Sequence, residues 1–224
     1  METAKQFKYW DIIVVAFVAV LLISNVASTK IVDFGWFTFD GGTLLFPLSY
    51  IFADIFTEVY GYSYARRAIW LGFVSAFVMS AVFIVVGKLP PATDWNNQAA
   101  YEAILGLTPR IVAASLLAYL AGNFSNSYIL AKLKLKTQGK FLWVRTIGST
   151  IVGEGLDTAI FCLVAFYGVL PGALLWSVIV SNYIFKVGVE VLFTPVTYRA
   201  CSFLKKYEGV DVFDADTKFN PFKG

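Results

Sequence analysis

The sequence contains no histidine, two cysteines and 15% charged residues in 224 positions. Without imidazole there is no Ser-His or Cys-His nucleophile pair and no His-ligated zinc or haem. Cys162 and Cys201 are too few for a disulfide scaffold and lack a metal-type spacing, so both read as small apolar fillers. Neither Gly-x-Ser-x-Gly nor HExxH occurs, and of enzyme chemistries only that of carboxylates remains. No catalytic residue, cofactor or metal is expected. The low charge also argues against a water-soluble domain, which carries about 25% charged and 45–50% apolar residues. Here 58% of residues are hydrophobic.

That apolar material is gathered into six runs: Ile12 to Val32, Leu44 to Tyr60, Ala68 to Val86, Ile111 to Ala131, Thr146 to Tyr167 and Gly172 to Thr194. They are 21, 17, 19, 21, 22 and 23 residues long, against the ~20 that a helix needs to cross hydrocarbon. None alternates with the period of a β-barrel strand, so the expectation is an all-α integral membrane protein with six transmembrane helices. Residues 1–204 are expected to form the six-helix membrane unit and residues 205–224 a polar, solvated cytoplasmic tail. A cleaved signal peptide over the first run is the weaker alternative, because removing it spoils the charge pattern.

Orientation follows from the cations. With the N-terminus inside, 14 of the 18 Lys and Arg residues fall in the cytoplasm, and Lys88 and Arg110 fall outside. Lys30 and Lys186 lie within the runs. The chain is therefore expected to be N-in and C-in, multi-pass, in a bacterial inner membrane.

Polar residues interrupt the grease at similar depths. They are Asn25 in span one, Asp54 and Glu58 in span two, Asn123 and Asn126 in span four, Glu154 and Asp157 in span five, and Asn182, Lys186 and Glu190 in span six. An ionisable group at a helix centre costs ~2.5–3.5 kcal/mol on insertion scales, which makes a polar-lined cavity the economical explanation. Spacings of three and four put each set on one helix face, with Tyr50 one turn before Asp54. Lys186 either faces the cavity or pairs with Glu190 or an acid of span five. The acids outnumber the embedded cations by three, which calls for protons, a cation or a donor-rich ligand. Arg66 and Arg67 read as cytoplasmic anchors or as a gate pairing with Glu58, and Arg110 as an external anchor or outer gate. Spans two and five look broken, the first by Gly41, Gly42 and Pro47, the second by Gly148, Gly153 and Gly155. Two inverted halves of three helices, each with a broken second helix, would place a central site there.

Ser24-Asn25, Pro47 with Asp54, Ala65-Arg66-Arg67, Arg110-Ile111, Ser149-Thr150 with Asp157-Thr158, and Tyr183 with Phe185-Lys186-Val187 together resemble the vitamin uptake transporter family. The resemblance covers residues 8 to 205. Its best-known branch transports queuosine precursors in bacteria, which implies an importer of 7-cyano-7-deazaguanine and 7-aminomethyl-7-deazaguanine working by facilitation or exchange without ATP hydrolysis. The chain departs from the pattern at Glu154, where some members have Asn, and at Asn182, where an Asp can occur. A guanine-like edge offers two parallel donors that Asp157 or Glu154 can accept, with Asn25 and Asn123 for its other polar atoms. Asp54 or Glu58 would match an aminomethyl cation. Phe52, Tyr50, Phe161, Tyr183 and Phe185 supply stacking faces or plain packing. A substrate-binding subunit of an ATP-driven uptake system and, more remotely, an intramembrane aspartyl enzyme using Asp54 and Asp157 are the rival readings. The expected partners are a nucleobase-like small molecule and lipid, with a homodimer through the unbroken span three and no nucleic acid. A reporter that works only in the cytoplasm, fused after Lys206, should be active; a silent fusion on a stably inserted protein overturns the orientation.

Overall fold

A computed structural model describes residues 7–33, 38–106, 109–168 and 171–222. Helices dominate, joined by one short antiparallel hairpin, β1 (Ile31–Asp33) with β2 (Thr38–Asp40). The helices are α1 (Trp10–Ala27), α2 (Phe46–Ile55), α3 (Tyr62–Gly87), α4 (Gln98–Leu105), α5 (Pro109–Lys136), α6 (Leu142–Phe166) and α7 (Gly172–Glu208). The second to sixth apolar runs each fall on one helical stretch, the first is helical only to Ala27 and its last residues turn into β1, and α4 is a short extra helix in the loop from Lys88 to Arg110. Among the described residues, five stretches combine the length and hydropathy needed to cross a membrane: α1, Gly41–Tyr60, α3, Leu142–Ala165 of α6 and Leu175–Glu208 of α7.

The helices are apolar on the outside. On α1, Trp10, Val14, Phe17, Leu21 and Ser24 form a buried stripe at helical spacing while Ile12, Val15 and Ile23 are exposed. On α3 the buried face is Ala65, Ala68, Ile69, Gly72 and Ala76, small enough for close approach, and Val74, Phe77, Val78, Val82 and Val85 point outward. Patches of this extent are foreign to a soluble monomer and suited to hydrocarbon. The interior, conversely, holds buried Asp54, Glu58, Asn123, Asn126, Arg145, Glu154 and Glu190.

Span two is the central and most buried crossing, and it is broken as expected, though not by Pro47. Pro47 sits in the first turn of α2, where its missing N–H costs nothing. A 3₁₀ turn over Gly41–Leu44 precedes α2, and a π-helical turn over Phe56–Tyr60 follows it. Gly61 then adopts φ +85°, and a Cβ there would lie 2.6 Å from Val212 Cγ1, so only glycine makes this turn into α3.

Span five is different. The expected break does not occur, and α6 runs unbroken through Gly148, Gly153 and Gly155. The glycines serve packing: a Cβ on Gly153 would come within 2.8 Å of Asn126 Cβ and 3.1 Å of Tyr50 Cε1, and one on Gly122 within 2.8 Å of Asp157 Cβ. Backbone closeness between α5 and α6 is what lets Tyr50 and Asn126 reach the middle of the molecule.

The chain end also departs from expectation. The division at residue 204 falls inside α7, which continues to Glu208, and the following segment folds back along the protein. Asp214 is buried and accepts the Tyr62 N–H, Trp70 Nε1 donates to Pro221 O at 2.8 Å, and Arg66 donates to Asn220 O at 2.8 Å. The Lys8 and Tyr9 amides donate to Glu208, and Arg67 lies 5.0 Å over the Trp10 ring. The starts of α1, α3 and α6 and the ends of span two, α5 and α7 thus share one face of the molecule.

Gly153→Val should force α5 and α6 apart and destabilise by about 1–3 kcal/mol, as overpacking does. A lowered thermal midpoint in detergent is the readout, and an unchanged midpoint contradicts the close-packing role.

Candidate functional site

Two polar clusters occupy the interior. In the first, α7 offers Lys186 to two acids one turn apart on α6, with Nζ 2.7 Å from Asp157 Oδ2 and 3.0 Å from Glu154 Oε2. Lys186 therefore pairs with span five and not with Glu190. Its ammonium also lies 4.5 Å from the centroid of the Phe46 ring at the start of α2, a cation–π contact that the sequence did not suggest. Tyr50, fully buried, donates its hydroxyl to Gly153 O at 3.3 Å. One turn along α2, Asp54 accepts the Asn126 side-chain amide of α5 at 2.6 Å. Glu190, one turn beyond Lys186, is buried with no hydrogen-bond donor on either oxygen.

The other candidates stand apart from this cluster to different degrees. Asn123 is buried, its amide bonded to Tyr119 O at 3.1 Å and its carbonyl oxygen without a donor. Asn25 turns its amide back on Leu21 O at 2.8 Å, within its own helix. Asn182 is half-buried one turn before Lys186. The Arg110 side chain lies outside the described residues. Of the aromatic candidates, Phe52 packs edge-on against Phe17, and Tyr183 donates to Ile151 O at 3.0 Å.

The second cluster gathers at the shared face. Glu58, on the π-helical turn, receives Arg145 Nη2 at 2.7 Å and Lys205 Nζ at 2.5 Å on one oxygen, with Lys134 Nζ 3.7 Å away. Arg145 and Lys205 thus hold the place expected for Arg66 or Arg67, so the anticipated gate pairing is replaced by another. Lys134 donates to Glu58 O at 2.6 Å, to Val212 O at 2.7 Å and to the Asp211 carboxylate, which Lys205 also meets at 2.9 Å. The cluster ties span two, α5, α6, α7 and the terminal segment together. Lys134 and Arg145 are almost fully buried, although the sequence marks them only as anchors. The span ends drawn at residues 131 and 146 stop where hydrophobicity stops, while both helices run on and carry these cations inward. The unmatched charge of Glu58 was the signal that could have found them.

Burial pushes the Asp211 carboxyl up, but hydrogen bonds from Lys134 and Lys205 outweigh it and hold the group below its ordinary value of 3.8. A depressed folded value means that the stabilisation is complete above the ordinary value and disappears as pH falls through the folded one.

A pocket between the end of α3 and α4, lined by Val86, Leu89, Pro90, Pro91, Trp95, Gln98 and Tyr101, includes none of the predicted site residues. No group of His, Cys, Asp and Glu suited to a metal occurs among the described residues.

An apolar exterior around buried acids that meet lysine and arginine partners suits a membrane carrier. The family described as "Putative vitamin uptake transporter" matches residues 40–200. The chain belongs to the vitamin uptake transporter family, a family of membrane transporters and not of enzymes. Among its relatives, the "Probable queuosine precursor transporter" of Bacillus subtilis is 31% identical over 79% of this chain and 78% of that protein. The "Queuosine precursor transporter" of Escherichia coli is 26% identical over 68% of this chain and 67% of its own length. The "Probable queuosine precursor transporter" of Haemophilus influenzae is 27% identical over 56% and 51%. No solved structure matches.

Glu58→Gln should strand Arg145 and Lys205 and cost about 3–5 kcal/mol, the usual loss when one partner of a buried pair is removed. The yield of monodisperse protein after extraction reads this out, and Glu58→Gln with Arg145→Gln should recover part of it. The stability difference between wild type and Asp211→Asn should be constant above the ordinary Asp value and shrink below it, as followed by thermal unfolding against pH. A difference that grows on acidification would contradict the Lys134 and Lys205 contacts.

Proposed function

We propose that this protein is a six-span, N-in and C-in importer of queuosine precursors in a bacterial inner membrane, working without ATP hydrolysis. Its substrates are 7-cyano-7-deazaguanine and 7-aminomethyl-7-deazaguanine. The observation that carries this reading is the Lys186 bridge to Glu154 and Asp157, set among Tyr50, Phe46 and the Asp54–Asn126 pair. The relatives' names supply the substrate class.

The chemistry matches. N1–H and the exocyclic amine of a guanine-like base are two parallel donors, and a carboxylate accepts both in one plane. In the empty arrangement Lys186 occupies the carboxylates. An arriving base takes Asp157 or Glu154 from it, and the freed ammonium, on its flexible stem, meets the base's carbonyl oxygen. Lys186 and the two carboxylates each keep a charged or hydrogen-bonding partner through the exchange, so entry and exit remain shallow in energy. Asn123, with its free carbonyl oxygen, is a further contact for a ring N–H. The cation cluster at Glu58 lies on the face read as cytoplasmic, where it acts as the inner closure. Two inverted triplets of helices are the proposed internal symmetry. The exposed apolar face of α3 is read as lipid-facing, with a second copy of the chain as the other cover.

Counterflow tests this: liposomes preloaded with 7-cyano-7-deazaguanine should take up labelled base from outside. Asp157→Asn and Lys186→Ala should each reduce exchange at least about tenfold, a loss of ~1.4 kcal/mol or more in binding or transit, while insertion is unchanged. No exchange of any guanine-like base by the wild type overturns the substrate class, and wild-type rates in both variants remove these residues from the path.

A further inference from the structure

The layer between the two clusters is made almost wholly of acceptors. Glu190 is 1% exposed and Asp54 is fully buried. Both Glu190 oxygens and Asp54 Oδ2 have no donor. Asn126, also fully buried, gives its amide to Asp54 at 2.6 Å and leaves its own carbonyl oxygen without a donor, so it adds one more empty acceptor to the same layer. Glu190 on α7 is within electrostatic reach of Glu154 on α6 and of Asp54 on α2. Lys186 is spent on Asp157 and Glu154, and Arg145 and Lys205 on Glu58.

Two ionised carboxylates within electrostatic reach of each other and without a cation cost several kcal/mol each in a low-dielectric interior. A single proton on either one removes that repulsion. We infer that Asp54 and Glu190 form a proton-binding site that couples entry of each base molecule to entry of one proton. This rests on the transport reading above.

The arrangement gives both a route and a link. Asp157 and Glu154, then Glu190, then Asp54, then Glu58 form a series of carboxyls from the Lys186 layer to the shared face, where Lys205 is partly open to solvent. The other ionisable groups on this series are Lys186 and Tyr50, with Tyr119 beside Tyr50, the Cys201 thiol beside Asp54 and Glu58, and Arg145, Lys205 and Lys134 at Glu58. The link is Glu154, which touches the Lys186 cation and also stands in the field of Glu190. When a base takes a carboxylate from Lys186, the field at Glu190 changes, and the proton there is held or released with the substrate.

The test uses proteoliposomes with the membrane potential clamped, labelled 7-cyano-7-deazaguanine outside and a pH-sensitive dye inside. With the outside one pH unit more acidic, one coupled proton should raise the base about tenfold inside over outside, and the dye should report about one proton per base. Glu190→Gln, and Asp54→Asn as a second variant, should lower the number of protons per base exchanged toward zero, a ratio that does not depend on how much protein folds. Base exchange by the wild type with no dye response and no accumulation overturns the inference. Accumulation driven by a sodium gradient in place of the proton gradient does so as well. Failure of counterflow itself overturns the transport reading instead.

Discussion

A carboxylate taken out of water must meet a cation, a donor or a proton, and the organisation of this protein follows from that requirement. Along the middle of α1, α3 and α7 its outer surface is apolar, so an acid in mid-span has no water to turn to. The acids must turn inward and find partners there. Lys186 satisfies two of them, Arg145 and Lys205 satisfy Glu58, and Asn126 satisfies half of Asp54. The helices are held in register by these pairings as much as by packing, because moving one helix along another would strand a charge.

Much of the architecture was legible in the sequence, since hydrophobic runs of this length have few alternatives. The polar faces were legible too, from spacings of three and four. What escaped was what glycine and proline do in context. Pro47 and the glycines of α6 look alike as helix breakers on paper, yet Pro47 begins α2 and Gly153 brings α6 against α5. Which of these roles applies depends on the neighbouring helix, and no single segment contains that information. Gly61, where span two turns into α3, combines a local demand, its φ of +85°, with a neighbour, Val212, that leaves no room for a Cβ.

At the site, the acids and Lys186 were legible because an ionisable residue in an apolar run stands out. Lys134, Arg145 and Lys205 were not, because a cation just past a span end has an ordinary explanation as an anchor. Their burial is a product of helix length: α5 and α7 extend past their hydrophobic limits, and the extra turns fold over the interior. Phe46 was missed for a similar reason, since an aromatic residue in an apolar run gives no signal until a cation is placed over it.

The terminal segment has a consequence for biogenesis. Residues 211 to 221 supply the Asp214 carboxylate for the Tyr62 amide, the Asp211 carboxylate for Lys134 and Lys205, and the carbonyl that Trp70 bonds. These partners, Lys205 apart, lie 77 to 152 residues earlier in the chain, so the segment can meet them only once α7 and the helices before it stand side by side. The shared face is therefore the last part of the helical assembly to close.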